Sequence, residues 1–225
     1  MSRLLGFGVV AVMIACVAGC GMSVPGMGRS GGSYKPDSVM SIQFAGDLSG
    51  AKVGQSVTYE TEASGQKSSN TVKVVGQEGD NTWIEQWMDA GSMSYGYLFS
   101  IGKDKKINKA WSAAKGDKAW TAIKVTEPPK AGDAPAGEQP KAKIVESDEK
   151  KSVAAGEFAS HKVETTVNVQ GKDYASTAWY SKDAPKLYIG AGHGGLVAME
   201  GSGSKTWLAA KSEDAKPTME LPTAK

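Results

Sequence analysis

Two textures divide the chain. From Leu4 to Ala18 apolar residues run nearly unbroken, interrupted by Gly6 and Gly8 and preceded by one basic residue, Arg3. The run is too short to cross a bilayer as a helix; a charged start followed by a short apolar stretch is the layout of a signal peptide. Residues 21–36 hold Gly, Ser, Met and Pro with almost no apolar periodicity, which predicts a flexible tether. From about Ser38 short alternating segments rich in Val, Tyr, Thr and Trp are punctuated by Gly, Asp and Asn, the rhythm of antiparallel sheet. The predicted strands of the first half are Ser56–Thr61, Asn70–Val75, Thr82–Met88, Tyr95–Ile101 and Ile107–Ala113. Those of the second are Ser152–Ala154, Phe158–Val169, Tyr174–Tyr180, Lys186–Ile189, Leu196–Glu200 and Thr206–Ala210. Within Phe158–Val169 the residues Val163, Thr165, Val167 and Val169 share one side and Glu164, Thr166 and Asn168 the other, so one face is buried and one wet.

Turns punctuate these strands at Gly102-Lys103-Asp104-Lys105 and at Gln170-Gly171-Lys172-Asp173. Residues 126–143 read TEPPKAGDAPAGEQPKAK, with no large apolar side chain, and predict a disordered insertion between two halves of one sheet; a linker between two domains is the competing reading. Residues 109–124 are ambiguous. Lys109-Ala110-Trp111 nearly repeats as Lys118-Ala119-Trp120, and Ala and Lys favour helix, but Gly116-Asp117 sits at a turn-like position; strand–turn–strand is favoured and helix stays open. The resulting plan is a signal peptide over 1–19, an acylated tether over 20–37, a β-domain over 38–211 and a flexible tail over 212–225.

Val17-Ala18-Gly19-Cys20 closes the apolar run, with two small residues before a thiol. With the basic start and the run itself, it resembles a bacterial lipoprotein lipobox. The resemblance implies cleavage before Cys20, acylation of that residue by chains such as palmitate, and anchoring to a membrane; two or three chains hold far more firmly than one. Gly21, where an Asp would signal retention, implies the outer membrane if the host is Gram-negative. Cys16 leaves with the signal peptide, so neither of the two cysteines remains for a disulfide or a thiol catalyst. The formal net charge of +2, with lysines spread along the chain, supplies no basic stripe and argues against a nucleic-acid partner.

Candidate chemistry is sparse. Of the two histidines, His161 lies in an alternating run and is expected to point outward. His193 sits in Gly190-Ala191-Gly192-His193-Gly194-Gly195, which lacks the Lys-Ser/Thr pair of a phosphate loop and reads as a turn or bulge between strands. No His/Asp/Glu spacing suggests a metal site, and no serine has an activating context. No catalytic residue and no cofactor is expected; an enzyme would need His161 or His193 beside a carboxylate in a cleft. The aromatics are the other candidates: Trp83 and Trp87, with Glu85 between them, and Tyr95, Tyr97 and Phe99 on the next strand. They either line a groove for an acyl chain or other apolar ligand, or form the sheet's own core. Glu85 would bind a cationic group or pair with a lysine across strands.

Several fragments together resemble a group of uncharacterised bacterial exported proteins with a lipoprotein-carrier (LolA/LolB-like) fold. These are Trp83-Ile84-Glu85, Gly102–Ile107 leading into Ala110-Trp111, Val153-Ala154-Ala155-Gly156-Glu157-Phe158, Trp179-Tyr180-Ser181 through Pro185, and Gly195-Leu196-Val197. The resemblance implies a mainly β fold, a curved antiparallel sheet or half-open barrel around a hydrophobic concavity, which in the carriers holds acyl chains. The Pro-rich insertion and the Gly-rich loop depart from that pattern. The expected function is a non-enzymatic envelope lipoprotein binding an apolar ligand or a protein partner. The alternative is a structural or assembly module of the envelope with no small-molecule ligand.

Overall fold

The computed structural model describes residues 37–40, 44, 46–126 and 142–222. The signal peptide, Cys20, the tether to residue 36, and residues 127–141 of the Pro-rich segment lie outside the described residues.

The strands in chain order are β1 Ser38–Met40, β2 Ser56–Ala63, β3 Gln66–Glu78, β4 Asn81–Ala90, β5 Met93–Ile101, β6 Ile107–Ala114 and β7 Thr121–Thr126. They continue with β8 Ala142–Val153, β9 Gly156–Val169, β10 Lys172–Ser181, β11 Gly190–Ala191, β12 Gly194–Gly201 and β13 Ser204–Ser212. The order across the sheet is β1-β7-β6-β5-β4-β3-β2-β13-β12-β10-β9-β8, with β11 paired to β12. Two meanders, β2 to β7 and β8 to β13, are thus joined into one sheet by β2 and β13. Every pair is antiparallel except the short β1 against β7. The sheet is open and curved: at one end Ala155 N–H reaches the Leu208 carbonyl at 3.3 Å, and Lys151 of edge strand β8 pairs with Glu200 of β12.

The mainly β expectation holds, and residues 109–124 form strand–turn–strand. Four local readings change. Lys186–Ile189 is a loop, although Leu187 is buried and Tyr188 packs on Tyr59 with ring centroids 5.0 Å apart. Strand β8 begins at Ala142, ten residues before the predicted strand start at Ser152; it carries Glu146, Asp148, Glu149, Lys150 and Lys151 and lies exposed on the edge of the sheet. Strand β7 runs to Thr126 and β8 starts at Ala142, so the first and the last two residues ascribed to the insertion belong to the sheet. Residues 213–222, expected as a flexible tail, lie against the sheet: Ala215 N–H donates to Gly54 O at 2.8 Å and Leu221 packs against Trp83 and its neighbours.

The main core lies on the face carrying Val57, Tyr59, Val72, Val74, Ile84 and Phe99. Phe44, Leu48 and Leu187, from two loops tied by Asp47 N–H to Lys186 O at 2.9 Å, pack onto it. Tyr59 donates its hydroxyl to the Leu196 carbonyl at 2.6 Å, tying β2 to β12 within this core. Burial pushes the Tyr59 phenol upward, and that of Tyr180 up to about 12. A phenol whose folded value exceeds its unfolded value of about 10 contributes stability fully present below pH 10 and lost as pH rises through 12. In an ultraviolet titration, at least two of the seven tyrosines should therefore lag until the sheet unfolds. A single wave near the ordinary phenol value, with the sheet intact, would contradict this.

Candidate functional site

The predicted aromatic residues fall into two groups on opposite faces. Strands β4 and β5 join through Gly91-Ser92, and their register pairs Trp83 with Ser100, Glu85 with Leu98 and Trp87 with Gly96. Ile84, Gln86 and Met88 pair with Phe99, Tyr97 and Tyr95. Directly paired residues share a side of the sheet, so Trp83 and Trp87 point away from Tyr95, Tyr97 and Phe99. One groove lined by all five is ruled out by the register.

Each group is used in packing. Trp83 stacks on Trp111 at 5.2 Å between centroids, and Trp87 meets Trp120 at 5.8 Å. Trp87 lies against Gly96, where a Cβ would come within 2.7 Å of the indole. On the other face Tyr97 stacks on Phe99 at 5.2 Å, and Tyr95 meets Tyr97 edge-on at 5.8 Å.

Glu85, 0% exposed, pairs with Lys73 at 2.9 Å from the facing position of β3, the cross-strand alternative. Its carboxylate also accepts from Trp87 Nε1 at 3.0 Å, from Thr218 N–H at 2.9 Å and from the Thr218 hydroxyl. Lys73 donates further to Thr218 Oγ1 at 2.7 Å. This buried network fixes the C-terminal segment and leaves the carboxylate no free side for a ligand cation.

The histidines behave otherwise than their sequence positions suggest. Register pairs His161 of β9 with Asp148 of β8 and with Tyr180 of β10. Gly190-Ala191 and Gly194-Gly195 pair as a tight hairpin with Gly192 and His193 at its tip. Glycine is required there: a Cβ on Gly194, at φ +128°, would lie 2.0 Å from Ser181 O, and one on Gly195 2.3 Å from Pro185 O. The Gly-rich segment is the expected turn between strands, and its close seating lays His193 over His161, centroids 3.7 Å apart and planes 17° apart. His161 Nδ1 lies 2.8 Å from Asp148 Oδ1, and Nε2 lies 3.5 Å from Glu146 Oε2. The pair borders a cleft of ≈ 760 Å³ whose other walls include Lys150, Ser160, Ser181 and Lys182. The Ser160 hydroxyl donates to Phe158 O at 3.2 Å and Ser181 Oγ accepts from Asp183 N–H at 3.2 Å. A histidine beside a carboxylate in a cleft is thus present, against the expectation of an outward-pointing His161. The available signal was the register: with Gln170-Gly171 as the turn of the β9–β10 hairpin, His161 faces Tyr180, whose strand ends at the glycine loop.

No family model matches the chain, and no curated protein matches it. Among solved structures, a Bacteroides fragilis protein described as exported and as having a YmcC-like fold aligns at 12% identity and TM-score 0.34, over 76% of this chain and 99% of that one. PNGF-II aligns at 11% identity and TM-score 0.28, over 72% of this chain and 28% of its own.

Proposed function

We propose that the protein is an exported lipoprotein of the bacterial cell envelope, anchored through acylated Cys20, in the outer membrane of a Gram-negative host. It acts by binding a protein partner rather than by catalysis. The observation that carries the partner reading is strand β8, twelve residues long and the last strand at its end of the sheet. An edge strand offers unpaired N–H and C=O groups along one side, the template on which an extended segment of another chain adds as a further strand. Ile144 and Val145, 45% and 46% exposed on this strand, supply apolar contacts for both faces of such an addition. The apolar-ligand reading is the weaker one, because the aromatics assigned to it are spent on each other and on the core.

The anchor is tested by growth on labelled palmitate. The wild type should carry label and sediment with membranes, and Cys20→Ser should lose the label and appear in the soluble fraction. Membrane association of an unlabelled Cys20→Ser protein would overturn the lipoprotein assignment. Extracting lipid from the full chain, purified in mild detergent, tests the partner reading: an apolar molecule at near-stoichiometric amount would replace it with ligand carriage.

A further inference from the structure

We infer that Glu146, His161 and His193 form a binding site for a divalent transition-metal ion, zinc above others, with Asp148 orienting His161. It stands independently of the membrane anchor and of the partner edge. The chain has two histidines, 32 positions apart in sequence, and the fold stacks them on each other. One ligand atom from each of Glu146, His161 and His193 lies within 4.8 Å of the others. A tetrahedral ion with bonds of about 2.0–2.1 Å holds its ligands roughly 3.4 Å apart, so closure needs shifts on the order of 1 Å. Both outer ligands can supply them. His193 rides an exposed hairpin tip beside Gly192, and Glu146 projects from the exposed edge strand. Closure also turns the His193 ring, since two stacked rings direct their lone pairs side by side rather than to a point.

The chemistry of His161 points to a cation. Asp148, a carboxylate, accepts at 2.8 Å, so Nδ1 carries a proton and Nε2 is the ring nitrogen turned toward the site. That Nε2 is buried and makes no hydrogen bond, yet a second carboxylate, Glu146, faces it at 3.5 Å. A lone pair facing an anion is repulsive, so the contact calls for positive charge between them, which either a proton or a metal ion supplies. A carboxylate on Nδ1 with the other nitrogen free is the arrangement by which proteins orient a metal-binding imidazole and raise its basicity. Two imidazoles and one carboxylate suit zinc, copper(II) or nickel(II), and suit calcium and magnesium poorly. Three protein ligands leave a fourth position for water or for a donor atom from a partner. Sequence spacing hid the site because its ligands come from β8, β9 and a hairpin tip, meeting only through register.

The test uses the full chain in detergent, stripped with chelator and titrated with zinc chloride, and separately with cobalt(II) followed by visible absorption. Saturable binding of one ion per chain is expected, with the intense visible bands of four-coordinate cobalt. His193→Gln, altering an exposed tip residue, should weaken binding at least tenfold with the melting transition unchanged. Asp148→Asn should weaken it about 10–100-fold as a positioning residue, while Asp148→Glu restores part of the loss. Lack of saturable uptake, or equal affinity in the wild type and His193→Gln, would overturn the assignment. Neither result bears on acylation or partner capture, which are read by labelling and lipid extraction.

Discussion

Replacing Glu85 with Leu should lower Tm by about 10 °C. The carboxylate is the one acceptor shared by Lys73, Trp87 and Thr218, and none of it is exposed. Removing it leaves an ammonium without its counter-charge and an indole N–H without an acceptor, and it removes the bonds that hold Thr218 to β4. Breaking a buried ion pair from one side costs roughly 3–5 kcal/mol, and one kcal/mol moves Tm by about 2–4 °C at this chain length. Replacing both partners should restore much of the loss, since Lys73→Met with Glu85→Leu removes the orphaned charge along with its acceptor. Thermal unfolding of the two single variants and the double variant measures the coupling directly. A single Glu85→Leu variant as stable as the wild type would show that the network contributes nothing net.

Gly194→Ala should be as damaging, for a steric reason. The new methyl would sit 2.0 Å from Ser181 O and 2.2 Å from Ser181 C, backbone atoms that cannot swing aside, at a φ of +128° that side chains rarely adopt. Overpacking and backbone strain each cost about 1–3 kcal/mol, so a loss of roughly 3 kcal/mol or more is expected. Gly192→Ala, two residues away, is the internal control: a Cβ there meets nothing within 4 Å. It should stay within about 0.5 kcal/mol of the wild type. Equal stability of the two variants in denaturant unfolding would refute the close-packing account of the hairpin.

Strands with apolar alternation were legible because a half-buried strand writes its burial at period two: β2, β5, β9 and β10 came within a few residues of their bounds. Strand β8 was illegible for the same reason, since an exposed edge has no buried side to write and reads as a run of Lys and Glu. Tyr188 and its apolar neighbours produced the opposite error, because a loop packed onto a core needs large side chains as much as a strand does. The aromatic grouping failed on parity. A two-residue turn such as Gly91-Ser92 places odd positions of one strand beside even positions of the next, so Trp83 and Tyr97 cannot share a face. That rule was available in the sequence. The meeting of His161 and His193 was not, because it depends on a hairpin seated by Gly194 against a strand end far away in the chain.

The pairing of β2 with β13 sets the order in which the protein can be completed. The first long strand finds its second neighbour only in the last one, 148 positions later counting from Ser56 to Ser204. During synthesis or passage across a membrane, the meander β2 to β7 is finished while one side of β2 still lacks a partner. Pairings so distant in sequence close slowly, and an open strand held in waiting invites association with other chains. The half-made molecule therefore carries, for the time it takes the rest of the chain to arrive, an adhesive margin that the finished protein hides in the middle of its sheet.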